Sequence, residues 1–278
     1  MDKNIVWIAS YPKSGNTWIR SVLSSLFYTD DGNFNFNILK KINTFDRPFY
    51  YSEAIKDKKV PAYDLTTLAK FRIEAQKLFN KKKTLRFFKT HAANIKIDGF
   101  DYTDQDTTKC AIYIVRDPRD VVLSYSKFSG SNIDDVIKII KDEKFAVKNK
   151  ESQYFTHWSR WDYHVSSWLI SKFPKILIKY EDMIDKPIQT IVRLVLFLKS
   201  VGVDGDFTDQ KIINAVESTN FTKLYKMEKE LGFEESIYGT KFFNIGKKNQ
   251  WKKNLSALHA QDIEKSFAET MKKFGYLN

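Results

Sequence analysis

One short stretch of the chain, Tyr-Pro-Lys-Ser-Gly-Asn-Thr at positions 11–17, has the residue types of an anion-binding site. A single lysine supplies positive charge, and serine, asparagine and threonine supply hydrogen-bond donors beside a glycine. Glycine allows a tight turn and lets a ligand approach the backbone closely. The residues that we expect to bind a phosphate or sulfate group are Lys13, Ser14, Gly15, Asn16 and Thr17.

The elements around this stretch would make it a loop between a strand and a helix. Ile5 to Ala9 is a short apolar run typical of a buried strand. After the loop, apolar residues recur on one helical face as far as Phe27, and the residues from Thr29 to Asn33 end the helix. A helix N-terminus carries unpaired N–H groups and the positive end of the helix dipole, so it favours an anion. An ordinary turn whose lysine points to solvent is the alternative.

The spacing differs from that of the ATP-binding P-loop, Gly-x-x-x-x-Gly-Lys-Ser/Thr. Here the lysine precedes Ser-Gly, and the leading glycine is missing. The stretch therefore indicates a phosphate loop of a different type. A P-loop-related kinase or nucleotide hydrolase remains an alternative, and it would bind ATP in a Mg²⁺-dependent manner.

A second polar group follows the predicted strand from Thr84 to Lys89, which runs into Thr90 and His91. Open parallel α/β sheets place ligands at the carboxyl ends of their strands. His91 can act as a general base near neutral pH, and Lys89 can neutralise charge beside it. A structural histidine is the alternative interpretation.

A third strand, predicted from Ala111 to Val115, ends at Arg116 and is followed by strong helix signals. Asp117 is a good N-cap before Pro118, and Gly130 ends the helix. Ser124 lies about one helical turn past Asp120 on the same face. Arg116 and Ser124 could therefore grip one phosphate; the alternative is an arginine paired with a neighbouring aspartate.

A fourth apolar strand is predicted from Ile176 to Ile178, and it also ends in polar residues. The carboxyl ends of parallel strands line one edge of a sheet, so we expect a polyanion site at that edge. The segment from Asn33 to Tyr63 could be a lid over an acceptor pocket or could fill the core. Helices are predicted at Asp64–Asn80, Asp134–Phe145, Thr156–Ser171, Pro187–Lys199 and Ala260–Phe274.

Three of these motifs together resemble those of the cytosolic sulfotransferases, which use 3′-phosphoadenosine-5′-phosphosulfate (PAPS) as sulfuryl donor. They are Tyr-Pro-Lys-Ser-Gly-Asn-Thr-Trp, Lys-Thr-His, and Arg-Asp-Pro-Arg-Asp followed by a serine. The resemblance implies that the first motif, including Trp18, holds the 5′-phosphosulfate. It implies that Arg116 and Ser124 hold the 3′-phosphate.

Weaker similarities to the same family continue toward the C-terminus. Tyr-Glu-Asp-Met after the fourth strand implies that Tyr180 lies near the adenine, and Ser-Thr-Asn-Phe implies that Thr219 and Phe221 contact the base. Gly246, Lys247 and Lys248 resemble the loop that closes over the nucleotide. The chain departs from the family pattern at a few positions: Ala92 and Ala93 replace Leu-Pro, Asn244 and Ile245 replace Arg-Lys, and Asn249 replaces a glycine.

The resemblance implies in-line transfer of a sulfuryl group from PAPS to a hydroxyl or amine, with release of 3′-phosphoadenosine 5′-phosphate (PAP). His91 would take the acceptor proton, Lys13 would stabilise charge on the leaving oxygen, and Lys89 would neutralise the transferring group. Because lysines can supply this charge, we expect no metal requirement.

The composition sets the remaining expectations. A chain of 278 residues with 42% apolar content can bury a large core, and we predict a single α/β domain over positions 1–278, with a central parallel sheet flanked by helices. One cysteine, Cys110, cannot form an internal disulfide, and the chain has no signal-peptide or transmembrane pattern, so a cytoplasmic location is expected.

The net charge of +12 would steer an anionic nucleotide toward the protein. Only 8 of the 46 basic residues are arginine, whereas nucleic-acid readers rely more on arginine, so we expect no nucleic-acid partner. A protein that binds nucleic acid or an anionic surface without catalysis is nevertheless a third interpretation. A small molecule, a lipid or a glycan could be the acceptor, and the sequence leaves the choice and the oligomeric state open.

Overall fold

A computed structural model of the chain describes residues 2–56, 65–148, 155–236 and 241–277. Two compact units can be distinguished in it. The first consists of Met1–Tyr11, Ile42–Tyr113 and Asp142–Leu177, and the second of Pro12–Lys41, Ile114–Lys141 and Ile178–Asn278. Residues 12–17 of the phosphate loop belong to the second unit, whereas Tyr11 and His91 belong to the first.

A five-stranded sheet with helices around it forms the fold, which confirms the predicted α/β class. Its strand order is β2-β3-β1-β4-β7, and β1 pairs in parallel with β3, which pairs in parallel with β2. Every residue of β1 is buried, as expected for a strand covered on both faces. The strands are β1 (Ile5–Ser10), β2 (Asn43–Thr44), β3 (Arg86–Thr90), β4 (Thr108–Val115) and β7 (Lys175–Lys179).

A separate antiparallel ribbon pairs β5 (Ala146–Lys148) with β6 (Phe155–His157). The helices along the chain are α1 (Asn16–Tyr28), α2 (Phe36–Leu39), α3 (Pro48–Ile55), α4 (Leu65–Asn80), α5 (Pro118–Ser129), α6 (Ile133–Lys141), α7 (Trp161–Leu169), α8 (Tyr180–Asp185), α9 (Pro187–Ser200), α10 (Asp209–Ser218), α11 (Phe221–Leu231), α12 (Trp251–Asn254) and α13 (Ala257–Lys273). Within the described ranges, no helix has the length and the apolar character needed to cross a membrane.

The antiparallel ribbon corrects two of the predicted helices. The helix predicted to reach Phe145 ends at Lys141, and the helix predicted from Thr156 begins only at Trp161. Phe145 O accepts hydrogen bonds from Trp158 N and Ser159 N at 2.9 and 3.2 Å. Next to these bonds, β5 and β6 pair as an antiparallel ladder. Pairing between distant segments therefore replaced the local helical periodicity on both sides.

Aromatic side chains fill the core of the first unit around Trp7. The rings of Phe45 and Tyr102 lie 5.8 and 5.4 Å from the Trp7 ring, measured between centroids. Phe45 and Tyr51 are both fully buried, so these parts of the 33–63 segment are core rather than lid. The predicted cap at Asp64 lies outside the described residues.

Candidate active site

The loop between β1 and α1 turns through two left-handed residues. The φ angle is 65° at Lys13 and 102° at Gly15, which is the N-cap of α1. No side chain of the described residues caps this helix N-terminus. Turns of this kind direct successive N–H groups toward one concave face, and the helix dipole adds positive potential there. The predicted anion-binding loop thus has the expected backbone.

Gly15 is required by packing as well as by its φ angle. A Cβ atom at this position would lie 2.8 Å from Cδ2 of Tyr180, closer than a methyl group can approach. Tyr180 begins α8, is 7% exposed, and makes an edge contact with the Trp18 ring at 6.1 Å. Tyr180 therefore packs against the loop at Gly15 and supports it, a role that the sequence did not indicate.

Buried polar atoms at this loop include Ser14 Oγ and Arg116 Nε, neither of which has a hydrogen-bond partner among the described residues. Ser14 is 0% exposed and Arg116 is 8% exposed. An unsatisfied buried polar group costs about 1–3 kcal/mol, which a ligand oxygen would recover. These residues therefore fit a ligand with several anionic oxygens.

The guanidinium of Arg116 connects two loops of the second unit. Its Nη1 donates to Lys13 O at 3.0 Å, and its Nη2 donates to Lys247 O at 3.4 Å. The same group lies 4.2 Å from the Tyr180 ring centroid and 3.9 Å from a carboxylate oxygen of Asp120. Arg116 is thus held mainly by backbone carbonyls, with Asp120 at the edge of ion-pair distance.

Helix α5 begins as predicted. The sequence analysis did not predict the contacts that Arg119 makes there. Asp117 caps the helix by accepting from Arg119 N at 2.9 Å, and Gly130 ends it with a φ of 74°. Arg119 pairs with Asp117 at 2.6 Å and with Glu264 at 2.5 Å, and it stacks on Trp251 at 3.6 Å. This buried network fixes the end of α5 that follows Arg116.

Ser124 lies on the α5 face between Asp120 and Phe128, since residues four apart share one side of a helix. Asp120 lies near Arg116, and the Phe128 ring lies 3.9 Å from Lys13 Nζ. Ser124 is therefore on the side of α5 that contacts the phosphate loop.

The ammonium of Lys13 lies between two aromatic rings. Its Nζ is 3.9 Å from the Phe128 centroid and 4.0 Å from the Phe242 centroid. Phe242 is held in turn by Glu228 of α11, whose Oε1 accepts from Phe242 N at 2.6 Å and whose Oε2 accepts from Phe243 N at 2.9 Å. Neither Glu228 nor Phe242 has a local sequence pattern that would have predicted these contacts.

The loop that resembles a closing loop also contacts this group. Gly246 has a φ of 62°, and a Cβ there would lie 2.1 Å from the Phe221 ring. Phe221 and Trp18 pack against one shared apolar cluster. Lys248 forms an ion pair with Asp185, whereas the Lys247 side chain is exposed.

Thr219 lies at the end of α10 and is fully buried. Its hydroxyl donates to Ala215 O at 2.7 Å, so its proton already satisfies a helix carbonyl. The proposed contact of Thr219 with a base therefore stays a prediction.

In the first unit, His91 follows β3 and bonds to the end of β1. Its Nδ1 lies 2.9 Å from Ser10 O and 3.3 Å from Ser10 Oγ. A carbonyl oxygen can only accept, so Nδ1 carries the hydrogen and Nε2 carries the lone pair of the neutral ring. Lys89 is half-buried on β3 opposite Ile8. The arrangement gives His91 the tautomer that a general base needs.

Comparison with known proteins identifies the family. The sulfotransferase domain family matches residues 3–275 of the chain. The chain belongs to this family. Cytosolic sulfotransferase 13 of Arabidopsis thaliana is 26% identical over 286 residues, which cover 97% of the chain and 77% of that protein. The amine sulfotransferase of Oryctolagus cuniculus is 24% identical over 97% of the chain and 81% of its own length.

Solved structures of similar fold agree with this assignment. A retinol dehydratase in complex with retinol and PAP aligns with a TM-score of 0.61 and 18% identity, over 98% of this chain and 82% of that one. A mouse sulfotransferase, SULT7A1, complexed with PAP aligns with a TM-score of 0.58 and 17% identity, over 98% of this chain and 86% of that one. The expected sulfotransferase fold is confirmed.

Most of the residues predicted to bind the nucleotide come together in the second unit of this sulfotransferase. Arg116 contacts the backbone of Lys13 and of Lys247. Tyr180 packs against Gly15 and Trp18. Phe242 covers the ammonium of Lys13. Among the described residues, no group of three His, Cys, Asp or Glu side chains is arranged to hold a metal. The roles of the individual residues in binding and catalysis stay predictions.

Proposed function

We propose that this chain transfers a sulfuryl group from PAPS to a hydroxyl or amine of a small-molecule acceptor, with His91 as general base. The observation that supports it most directly is the N-terminus of α1, which no described side chain caps, beside the buried Ser14 Oγ and Arg116 Nε, which have no hydrogen-bond partner within the described ranges. A nucleotide with 5′- and 3′-anionic groups would satisfy both atoms. Family membership supplies the chemistry that such a donor supports.

The donor would be held by the residues of the second unit. The backbone N–H groups of the loop, with Ser14, Asn16 and Thr17, would hold the 5′-phosphosulfate, and Arg116 and Ser124 would hold the 3′-phosphate. Trp18 would support the 5′-phosphosulfate with the rest of its motif, and Tyr180, Thr219 and Phe221 would lie at the base. PAPS supplies an activated sulfuryl group, so the protein needs only to orient it and to stabilise charge.

The reaction forms an oxygen–sulfur or nitrogen–sulfur bond to the acceptor and breaks the bond between sulfur and the phosphate oxygen. His91 Nε2 would accept the acceptor proton as the new bond forms, because Nδ1 is already committed to Ser10 O. Lys13 would stabilise the charge that develops on the leaving phosphate oxygen. Lys89 would neutralise the transferring group. The products are the sulfated acceptor and PAP.

Lys13 has a second feature that bears on this role. The Phe128 and Phe242 rings cover its ammonium on two sides and reduce its access to water. Electrostatic interactions are stronger where water is excluded. The same rings favour an apolar or aromatic acceptor over a sugar, in line with the retinol named for a protein of similar fold. We also infer a cytoplasmic location, as the name of the plant relative indicates for that protein.

Calorimetric titration with PAP tests the donor site without requiring an acceptor. We expect tight binding in the presence of a metal chelator, weaker binding of ATP with Mg²⁺, and loss of PAP binding in Lys13→Ala. The exposed Lys172→Ala is the matched control and should bind PAP like the wild type. A preference for Mg²⁺-ATP would refute the proposed donor.

Transfer of radiolabelled sulfate from PAPS to a panel of phenols, apolar alcohols, amines, lipids and sugars then tests the reaction. His91→Ala should lower turnover on the best acceptor by about 10²–10⁴-fold while PAP affinity stays close to that of the wild type. Turnover at the wild-type rate in this variant would remove the base assignment.

A further inference from the structure

The turn that carries His91 is held by hydrogen bonds from α7. His164 Nε2 lies 3.2 Å from the carbonyl oxygen of His91, and Trp168 Nε1 lies 2.9 Å from that of Ala92. Both side chains are fully buried. The two carbonyl groups that follow β3 are therefore fixed by one helix.

Two further bonds complete the turn. Ala93 N donates to His157 O at 2.8 Å, and Asn94 N donates to Ser167 Oγ at 3.0 Å. These contacts explain how Ala92-Ala93 can stand where the motif of the resembled family has Leu-Pro. A proline fixes a turn through its ring, whereas here neighbouring elements fix it through hydrogen bonds.

The hydrogen-bond direction at His164 follows from its partners. The carbonyl of His91 can only accept, so Nε2 carries the hydrogen, and Nδ1 accepts from Tyr113 OH at 2.8 Å. Burial lowers the pKa of His164 to about 3 and raises the pKa of Tyr113 well above its usual value. Both groups stay neutral near neutral pH. The hydroxyl of Tyr113 therefore donates a hydrogen bond to His164, and His164 donates one to the carbonyl oxygen of His91.

The same imidazole also contacts the end of β1. The Tyr11 ring packs edge-on against His164, with centroids 5.4 Å apart and planes at 80°. Tyr11 directly follows Ser10, whose carbonyl oxygen accepts from His91 Nδ1. His164 therefore packs against both segments that determine where the His91 ring lies.

We propose that His164, held by Tyr113, is the positioning residue for the general base. By holding the His91 carbonyl it keeps the imidazole bonded to Ser10, so that Nε2 presents its lone pair. This inference rests on the proposed role of His91. His164 acts only through His91, so its loss should lower kcat and leave nucleotide binding unchanged.

Three variants test the proposal in the 278-residue chain. His164→Phe keeps an aromatic ring but has no donor, whereas His164→Gln keeps an N–H donor for the His91 carbonyl. Tyr163→Phe is the matched control, because Tyr163 lies on the same helix and is 47% exposed. We expect kcat to fall about 10–100-fold in His164→Phe, to recover most of its value in His164→Gln, and to stay unchanged in the control.

Nitrogen-15 NMR of the imidazole rings provides a second measurement that needs no turnover. The wild type should show His91 in the tautomer with hydrogen on Nδ1. His164→Phe should show a mixture of tautomers, while its Kd for PAP changes by less than about threefold. If His164→Phe does not fold, Tyr113→Phe takes its place, with an expected fall in kcat of about threefold to tenfold and the same shift toward mixed tautomers.

A wild-type kcat together with an unchanged His91 tautomer would overturn the proposal. An equal loss of PAP affinity would also overturn it, because that result indicates general destabilisation. His91→Ala separates this inference from the proposed function. Full activity of His91→Ala would refute the base assignment, whereas the tautomer comparison would still decide whether His164 orients the His91 ring.

Discussion

Replacing Arg116 by methionine should distinguish recognition of a 3′-phosphate from support of the phosphate loop. Methionine keeps an apolar stem against Tyr180 but removes the guanidinium that now bonds to Lys13 O and Lys247 O. The informative comparison uses two ligands, PAP and adenosine 5′-monophosphate, which differ by the 3′-phosphate. If Arg116 binds that phosphate, only PAP should lose substantial affinity.

The expected magnitude follows from the present partners of Arg116. Two hydrogen bonds to a charged phosphate contribute about 3–6 kcal/mol, and exchanging them for the two carbonyl bonds returns about 1–3 kcal/mol. The net loss is therefore about 2–3 kcal/mol, which corresponds to a Kd for PAP about 30–150-fold weaker. The monophosphate should lose less than about fivefold, because only loop support is removed.

Isothermal titration of both ligands against the wild type and Arg116→Met measures the difference directly. Arg193→Met, a change at an exposed position of α9, is the control and should alter neither Kd. Equal weakening of both ligands would show that Arg116 supports the loop without contacting the 3′-phosphate. Unchanged affinity for both would refute each role.

Three further perturbations have defined outcomes. Lys247→Ala should weaken PAP binding about fivefold to tenfold and Lys248→Ala less than about twofold, because the ammonium of Lys248 is paired with Asp185; equal effects in titration would contradict this ranking. Glu228→Gln leaves one backbone N–H facing an amide NH₂, so urea unfolding should show a loss of about 1–3 kcal/mol, and an unchanged midpoint would contradict it. Burial lowers the pKa of His164 to about 3 in the folded protein, whereas an ordinary histidine has a pKa of about 6.5, so the unfolded chain takes up a proton first as the pH falls. The free energy of unfolding should therefore drop by about 2 kcal/mol between about pH 7 and pH 5. In His164→Gln, denaturant titrations should show a drop that is smaller by this amount.

Local signals in the sequence predicted the elements that carry the phosphate loop. β1 runs from Ile5 to Ser10 against an expected Ala9, and α5 begins after the expected cap at Asp117 and ends at Gly130. These features depend on residues within one helical turn or one strand, such as an N-cap, a proline at N1 and an apolar run. They could therefore be inferred from spacing alone.

Contacts between distant segments could not be predicted in the same way. Ala146–Lys148 pairs with Phe155–His157 in the β5–β6 ribbon, and Phe145 bonds to Trp158 and Ser159, so these contacts override the helical period on either side. His164 lies 73 positions from the residue that it holds. Only the fold brings such partners together, and a buried histidine has no local pattern that distinguishes it from core filling.

The departures from the family pattern have different physical consequences. Asn249, at the position where the motif of the resembled family has a glycine, has a φ of 58°. Asparagine adopts this left-handed conformation more readily than most residues, so the turn is kept. Asn244 and Ile245 are different, because a missing positive charge cannot be replaced by backbone geometry. We propose that the exposed Lys247, whose carbonyl oxygen accepts from Arg116, supplies that charge. A substitution that keeps the backbone conformation, as at Asn249, should therefore leave binding unchanged. The missing positive charge at Asn244 and Ile245 predicts weaker binding of the 3′-phosphate.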